Sequence, residues 1–409
     1  MRRLACLIAL SAIAWSGDWK LWTPRAAIAP VHSIEAGELV LEGGGNPAVF
    51  GGWERLFPNV RPGEWYRLEV QYRATGLDYE PLQVPVRLDW VAKDGGRAGQ
   101  PDYAWRVTSK GDWRTVTLDA PAPVGAQAVK VQLLLQNAPR GKVQWKDASL
   151  TAEAPPAARK VRIASVRLRP KGDDPVARFL ETAEAKVADG TDVILFPEEI
   201  TLVGTGKSYA DAAEALPGPA TIRLGEFARR KHAWVVAGVL ERDGEAIYNT
   251  AVLIDRAGKL AGKYRKVYLP REELEGGLTP GADFPVFQTD FGTVGMMICW
   301  DVQYADPARG LALRGAELVL MPIWGGNEVL ARARAIENHF FLASSGYDFP
   351  SLVMDPAGEI LARTEEDGNV ATATIDLGRR YADPWLGEMR GRFFRELRGD
   401  LPTDPPGRR

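Results

Sequence analysis

The hydrophobic pattern of this 409-residue chain changes its period once, at a linker of alanine and proline between Ala152 and Lys160. Before the linker, apolar and polar residues alternate with period two, as in Trp65–Arg73, which is typical of strands with one buried face. After it, strand-like runs alternate with helical ones, the pattern of an α/β domain. We therefore predict an all-β, jelly-roll-like sandwich at 16–153, an α/β domain at 160–378 and a C-terminal tail at 379–409.

Composition excludes several functions. The formal net charge is −2 and there is no basic excess, so nucleic acid is not an expected partner. The three histidines lie far apart in the sequence, and no Cys/His cluster has the spacing of metal ligands. We predict no metal site.

The first residues have the layout of a secretory signal peptide. Arg2 and Arg3 precede an apolar stretch, Leu4–Ala14, that ends in a small-x-small pattern and is short for a membrane span. An uncleaved anchoring or buried segment is the alternative. We predict cleavage of residues 1–14 and export to the periplasm or outside the cell, which would leave Cys299 as the one cysteine of the mature chain.

Three candidate catalytic side chains follow strand-like runs in the α/β half. Cys299 follows "TVGMMI", Glu198 follows the apolar run "DVILFP", and Lys266 lies in "GKYRKVYLP". Side chains at the carboxyl ends of α/β strands are where such folds build their sites. A thiol needs a base before it can act as a nucleophile, and a developing oxyanion needs a cation or an N–H donor. The predicted roles are nucleophile for Cys299, base for Glu198 and oxyanion stabiliser for Lys266, with a backbone N–H near Trp300.

On these residues, 160–378 resembles the nitrilase, or carbon–nitrogen hydrolase, superfamily. The matching motifs are Phe196-Pro197-Glu198, Tyr264-Arg265-Lys266 and the segment Gly295–Asp301, followed by "RARAIEN" at 332–338 and "SLVMDPAGEIL" at 351–361. The resemblance implies an αββα sandwich whose Glu–Lys–Cys triad cleaves non-peptide C–N bonds through a thioester, without a cofactor. It also implies homo-oligomers.

The resemblance leaves several positions open. Family members usually carry a second glutamate after the lysine, and of Glu273 and Glu275 we favour Glu275 from its distance to Pro280-Gly281. Trp300 and Trp324 flank strand ends and are candidates for the acyl pocket, although packing explains them as well. Asp306 suits the N-cap of the helix after Cys299.

The predicted function is hydrolysis of a small amide or carbamoyl substrate. A nitrilase or an N-acyltransferase of the same superfamily is the alternative, and an inactive glycan-binding protein is another. Nine of the thirteen tryptophans fall in or just before the β half, which resembles galactose-binding-like modules of secreted hydrolases. We expect this half either to bind glycan or to support the enzyme. Apolar residues at helical spacing in 385–397 predict that the tail packs on an α/β domain, of its own chain or of a partner.

Overall fold

The computed structural model describes residues 18–383, 385–398 and 401. The predicted signal peptide, with Cys6, lies outside the described residues. The chain divides into two compact units, one formed by the residues up to Ala157 together with those from Arg380 onward, and one formed by Ala158–Arg379. No helix in the described ranges is long and apolar enough to cross a membrane.

The first unit contains two antiparallel sheets. Its strands before the linker are β1 Lys20–Trp22, β2 Val31–Glu35, β3 Glu38–Glu42, β4 Phe50–Pro58, β5 Trp65–Thr75, β6 Val86–Ala92, β7 Asp102–Tyr103, β8 Arg106–Lys110, β9 Trp113–Pro121, β10 Ala126–Gln136 and β11 Lys142–Glu153. A 3-10 helix, Ala26–Ile28, and a short helix α1, Glu80–Gln83, interrupt them. The strand orders are β1-β4-β10-β6-β7 in one sheet and β2-β3-β11-β5-β9-β8 in the other.

A single apolar core lies between these two sheets. Along β5 the buried residues alternate with more exposed ones, because successive side chains of a strand point to opposite faces. Trp53, Trp90 and Trp145 are buried in this core. The apolar residues of the period-two pattern therefore form the inward faces of a β-sandwich. Three tryptophans of this unit pack in its core.

The second unit has two six-stranded sheets. Its strands are β12 Lys160–Arg167, β13 Val193–Leu195, β14 Trp234–Asp243, β15 Ala246–Ile254, β16 Leu260–Arg265, β17 Val286–Gln288, β18 Thr293–Met296, β19 Leu318–Ile323, β20 Phe341–Gly346, β21 Ser351–Met354, β22 Ile360–Thr364 and β23 Asn369–Asp376. The orders are β16-β15-β14-β13-β12-β23 and β17-β18-β19-β20-β21-β22. In each sheet three neighbouring strands run parallel, β12, β13 and β14 in one and β18, β19 and β20 in the other.

Six helices belong to this unit. They are α2 Pro175–Lys186, α3 Tyr209–Ala212, α4 Pro219–Lys231, α5 Arg271–Glu275, α6 Ala305–Leu313 and α7 Glu328–Asn338, with a 3-10 helix at Cys299–Gln303. Phe179 of α2 and Phe227 of α4 pack against Phe196 at the end of β13. Between the sheets, the Ser165 hydroxyl donates to the carbonyl oxygen of Ser344. The unit is an αββα sandwich, as predicted.

Two local predictions were wrong. Helix α6 begins at Ala305 with Tyr304 at its N-cap, so Asp306 lies in the first turn, where it accepts a hydrogen bond from the Tyr268 hydroxyl at 3.2 Å. The tail was expected on an α/β domain. Its elements are β24 Ala382–Asp383, β25 Gly387–Glu388 and α8 Met389–Glu396, and they belong to the β unit.

Two contacts hold the tail helix α8 on the β-sandwich. The ring of Phe394 stacks on Trp105 at 5.1 Å between centroids, and the buried guanidinium of Arg395 donates to the carbonyl oxygens of Pro81 and Ala104. The amphipathic pattern of 385–397 thus indicates a helix correctly, but the helix packs on the β unit, next to α1 and β7.

Candidate active site

The three predicted catalytic residues all follow strands of the αββα unit. Glu198 lies three residues after β13, Lys266 directly follows β16, and Cys299 lies three residues after β18. Each is buried, and Lys266 is only 1% exposed. A lysine with its ammonium removed from water needs negative partners close by, and the structure provides them.

Two carboxylates hold the ammonium of Lys266. Its Nζ donates to Glu198 Oε1 at 2.8 Å and to Glu273 Oε1 at 2.5 Å. The second glutamate of the site is therefore Glu273, and the choice of Glu275 was wrong. Residues two apart on a helix point in different directions, and Glu275 lies on the solvent side of α5, paired with Arg271 at 2.8 Å.

Asn249 is a further member of the cluster. It lies in the middle of β15 with no exposed surface, and its side-chain Nδ2 donates to Glu198 at 2.7 Å, Glu273 at 3.2 Å and Glu199 at 3.3 Å. Its Oδ1 and the second carboxylate oxygens of Glu198 and Glu273 are buried and have no hydrogen-bond partner among the residues that the structure describes. Buried acceptors without donors are rare in folded proteins, so these three atoms are positions where a bound N–H or O–H group would be stabilised.

Cys299 starts the 3-10 helix in an unusual backbone conformation. Its φ is +42°, in the left-handed region that non-glycine residues seldom adopt and that clusters at functional sites. Its thiol donates to the carbonyl oxygen of Gly325 at 3.4 Å. Burial, and then the negative charge of Glu198, raise the pKa of Cys299 to about 12, against the opposing effect of Lys266. The resting side chain is a neutral thiol next to a carboxylate and an ammonium.

Asp301 fixes the cysteine loop to the lysine strand. It is fully buried, and its carboxylate accepts hydrogen bonds from the backbone N–H of Ile298 at 2.9 Å, the Tyr264 hydroxyl at 2.7 Å and the N–H of Tyr268 at 3.0 Å. Burial raises the pKa of Asp301 to about 6, and the three donors oppose that rise. This residue connects the loops that carry Cys299 and Lys266.

The two candidate pocket tryptophans differ in their surroundings. Trp300 follows the cysteine and is 38% exposed. Trp324 packs its ring against Tyr347 at 4.7 Å between centroids, and the buried Tyr347 hydroxyl donates to the backbone oxygen of Glu198 at 2.8 Å. Both lie next to the site in sequence or by contact. Their role in an acyl pocket stays a prediction.

The charges of the site shift several pKa values. Burial alone lowers the pKa of Lys266, but Glu198, Cys299 and Glu273 outweigh burial and raise it well above its usual value, so Lys266 stays cationic. Burial raises the pKa of Glu273 to about 7, although Lys266 lowers it. Burial and the neighbouring Glu198 also raise the pKa of Glu199 well above that of an exposed glutamate.

One carboxyl oxygen from each of Glu198, Glu199 and Glu273 lies within 4.8 Å of the other two, a spacing at which three carboxylates can ligate a cation. Lys266 already contacts two of the three and neutralises part of their charge. A metal ion there would have to displace a buried ammonium, so the donor set fits a lysine-centred ion cluster better than a metal site.

Sequence reasoning missed Asn249, Glu199 and Tyr347. Asn249 interrupts an apolar strand, "IYNTAVLID", and a polar residue in a buried run is a signal of function. Glu199 doubles the acid of Glu198, and the sequence alone gives it no role of its own. Tyr347 carries no local signal, because its contact with Glu198 joins residues 149 positions apart.

The αββα unit thus brings a cysteine, a lysine and a glutamate that follow strands into one buried cluster with a glutamate of helix α5. A sequence profile of the carbon–nitrogen hydrolase family matches residues 162–384, just over half of the chain. The chain belongs to this family, and it is an enzyme acting on carbon–nitrogen bonds.

Relatives match between half and three fifths of the chain. A probable nitrilase of Schizosaccharomyces pombe is 33% identical over 245 residues, which are 53% of this chain and 89% of the relative. The omega-amidase NIT2 of Homo sapiens is 28% identical over 276 residues, 59% of this chain and 94% of the relative. Among solved structures, an amidase mutant from Nesterenkonia sp. AN1, with the acetamide moiety of fluoroacetamide added covalently at its active-site cysteine, is 26% identical with a TM-score of 0.48, covering 55% of this chain and 94% of that one.

Proposed function

We propose that this protein hydrolyses a primary amide of a small molecule through a thioester on Cys299. The observation that supports this most directly is the buried Lys266, held at 2.8 Å from Glu198 and 2.5 Å from Glu273. Such an ion cluster is costly to bury, so its presence beside a buried thiol favours chemistry over packing. The similarity to an omega-amidase supports an amide substrate.

The proposed reaction has two halves. Cys299 Sγ attacks the amide carbonyl carbon while its proton passes to Glu198, and Lys266 stabilises the oxyanion. The C–N bond then breaks, and the nitrogen leaves as ammonia with the proton from Glu198. Water next attacks the thioester carbonyl and gives a proton to Glu198, the C–S bond breaks, and the thiolate recovers that proton. The products are a carboxylic acid and ammonia, so no redox partner is needed.

A thiol pKa of about 12 means that thiolate is scarce at neutral pH. Proton removal by Glu198 therefore has to accompany attack, since a preformed thiolate would be a small fraction of the enzyme. The unpartnered Oε2 atoms of Glu198 and Glu273 are acceptors for the substrate N–H groups and later for the hydrolytic water.

Trapping the acyl group tests this proposal. The wild type is incubated with a panel of aliphatic amides, ω-amides and nitriles and quenched with acid, and the peptide containing Cys299 is examined by mass spectrometry. We expect an acyl adduct on Cys299 from amides, and no adduct on a Cys299→Ser variant. An adduct from nitriles alone would favour a nitrilase, and transfer of the acyl group to an added amine would favour an acyltransferase. No adduct, together with no turnover by the wild type, would contradict the proposed activity.

We further propose export of the enzyme and assembly into homo-oligomers. The arginine-plus-apolar N-terminus motivates export. N-terminal sequencing of the secreted protein should find a start just after Ala14, and retention of the first residues would contradict cleavage. Sedimentation of the full chain tests assembly, and a monomer at micromolar concentration would contradict it.

The β unit is proposed to bind a glycan. Its surface has a pocket of about 390 Å³ lined by hydrogen-bonding side chains, including Arg73, Arg114, Lys142 and Gln144. The guanidinium of Arg73 lies 4.9 Å from the ring of the half-buried Trp113, and Lys146 Nζ lies 3.9 Å from it. A ring with flanking polar groups suits a hydroxyl-rich ligand.

Retention on insoluble polysaccharides and cell-envelope material tests the glycan proposal. Trp113→Ala should reduce retention, whereas the control Trp385→Ala, a tryptophan that is 83% exposed in the tail, should not. If both variants are retained as well as the wild type, the proposal that the β unit binds glycan at Trp113 is refuted.

A further inference from the structure

The active-site cluster contains one acid more than the proposed reaction uses. Glu199 is 4% exposed and directly follows Glu198, yet its carboxyl lies within 4.8 Å of those of Glu198 and Glu273. Neighbouring residues of a strand normally point to opposite faces. Glu199 joins the cluster because its φ of +51° turns the chain out of the strand direction.

Close packing of the backbone maintains this turn. A Cβ at Gly238 would lie 2.6 Å from Glu198 Cα and 2.9 Å from Glu199 N, so only glycine fits beside the pair. The Ile200 N–H donates to the Gly238 carbonyl oxygen at 2.8 Å. A positive φ at a non-glycine residue costs on the order of 1 kcal/mol or more and persists only where the surroundings enforce it. The placement of Glu199 is thus a built feature of the site.

The charge balance of the cluster requires a proton. With all three glutamates ionised, one ammonium would face three buried carboxylates. Lys266 contacts Glu198 and Glu273, whereas the one hydrogen bond of the Glu199 side chain in the described structure is the 3.3 Å contact from Asn249. A buried carboxylate without a cation is the least stable of the three, so Glu199 is the acid that keeps its proton.

The amide of Asn249 points to the same conclusion. Its NH2 group has two hydrogens but three carboxyl neighbours. If Glu199 is neutral, both hydrogens serve the ionised pair, Glu198 and Glu273. If Glu199 ionises, it competes for Asn249 and for Lys266, and both are drawn away from the groups next to Cys299.

We propose that Glu199 is a positioning residue that works as a neutral carboxylic acid, keeping Asn249 and Lys266 committed to Glu198 and Glu273. It acts through these groups and does not contact the substrate. The charged and titratable groups around it are Glu198, Glu273, Lys266, Tyr209 and Tyr347. The proposal rests on the proposed function only in taking Cys299 as the reactive thiol.

The pH dependence of Cys299 alkylation by iodoacetamide provides a test that needs no turnover. The rate is measured on the peptide containing Cys299 for the wild type, Glu199→Gln and the control Glu275→Gln, a solvent-exposed glutamate in α5. Ionisation of Glu199 in the wild type disfavours the thiolate, whereas glutamine stays neutral. We expect the ratio of the Glu199→Gln rate to the wild-type rate to be smallest on the acid side and to grow on the order of tenfold toward alkaline pH.

A constant ratio above one would overturn the proposal, because Glu199 would then be ionised throughout. A constant ratio of one is read against the carbon-13 NMR shift of the Glu199 carboxyl: ionisation within the pH range would overturn the proposal, because Glu199 would be coupled to nothing, and a carboxyl that stays protonated would support it. If Glu199→Gln fails to fold, Glu199→Met gives the same comparison with another neutral side chain of similar length. A pH-dependent ratio in an enzyme without amidase activity would support the role of Glu199 and refute the proposed function. Failure of the Glu199 proposal can therefore be told apart from failure of the proposed function.

Discussion

The pair Glu273 and Glu275 offers a matched test of the site, because both glutamates lie in α5 and only Glu273 reaches Lys266. Glu273→Gln keeps the size of the side chain but replaces a carboxylate 2.5 Å from Lys266 Nζ by a neutral amide. A hydrogen bond to a charged group contributes about 1.5–3 kcal/mol. If Lys266 must keep the orientation that Glu273 gives it in the transition state, losing this hydrogen bond lowers the rate roughly ten- to hundred-fold.

The assay is ammonia release from the amide that serves best in the trapping experiment. We expect Glu273→Gln to lower kcat because the carboxylate orients Lys266, and to raise KM because Glu273 Oε2 also accepts a hydrogen bond from the substrate. Glu275→Gln loses only a surface ion pair with Arg271, which contributes about 0–1 kcal/mol to stability, and should match the wild type. Equal losses in the two variants, or a larger loss for Glu275→Gln, would refute the assignment.

The pH profile adds a second criterion for Glu273. Its pKa of about 7 lies above the ordinary value, so the carboxylate forms only as the pH rises through about 7. The charge-assisted contact with Lys266 is therefore lost as the pH falls through that value. We expect wild-type kcat to rise across this range and the rise to be absent in Glu273→Gln. A rise that persists unchanged in the variant would mean that another group controls the acid limb.

Three other changes have clear expectations. Cys299→Ser should retain less than a few per cent of hydrolysis with an unchanged circular dichroism spectrum, because a serine hydroxyl is a much weaker nucleophile than a thiolate; substantial activity would remove the nucleophile assignment. Lys266→Met should lower kcat by on the order of a hundred-fold or more, and a change in KM alone would show that the lysine only binds substrate. Deleting residues from 385 onward should lower the melting temperature of the β unit, because it removes the stacking of Phe394 on Trp105 and the hydrogen bonds of Arg395. The melting temperature of the αββα unit should not change. An unchanged melting temperature of the β unit would contradict the stabilising role of the tail.

The sequence predicts most reliably what local rules determine. The change from period two to alternating strands and helices locates the two architectures, and each strand of the central parallel runs is an apolar stretch bounded by turn residues. Glu198 and Cys299 follow from the same rules, because each comes shortly after such a stretch. Lys266 directly follows β16, an antiparallel strand at the sheet edge, and was nominated by its place at a strand end. Function is concentrated at strand ends in α/β folds, so knowing the strands is enough to nominate these residues.

The partner of a strand-end residue is harder to predict when it lies on a short helix or in a distant strand. Spacing in the sequence favoured Glu275. The contact with Lys266 depends instead on the direction in which a side chain leaves α5, and Glu275, two residues after Glu273, points to solvent. Likewise the tail was predicted as an amphipathic helix, yet its apolar face meets the β unit. A hydrophobic stripe indicates that a helix packs against another surface, but it does not indicate which surface.

Glu199 combines both difficulties. Alternation along a strand would place it opposite Glu198, and its inward position depends on a left-handed turn at Glu199 and on the space left by Gly238 on the neighbouring strand. Neither can be read from "FPEEI" alone. What the sequence does contain is the doubled acid after a buried strand, where one carboxylate already carries a desolvation cost. A second acid at such a place either turns to solvent or keeps its proton, and the contacts of Asn249 and Lys266 favour the second outcome here.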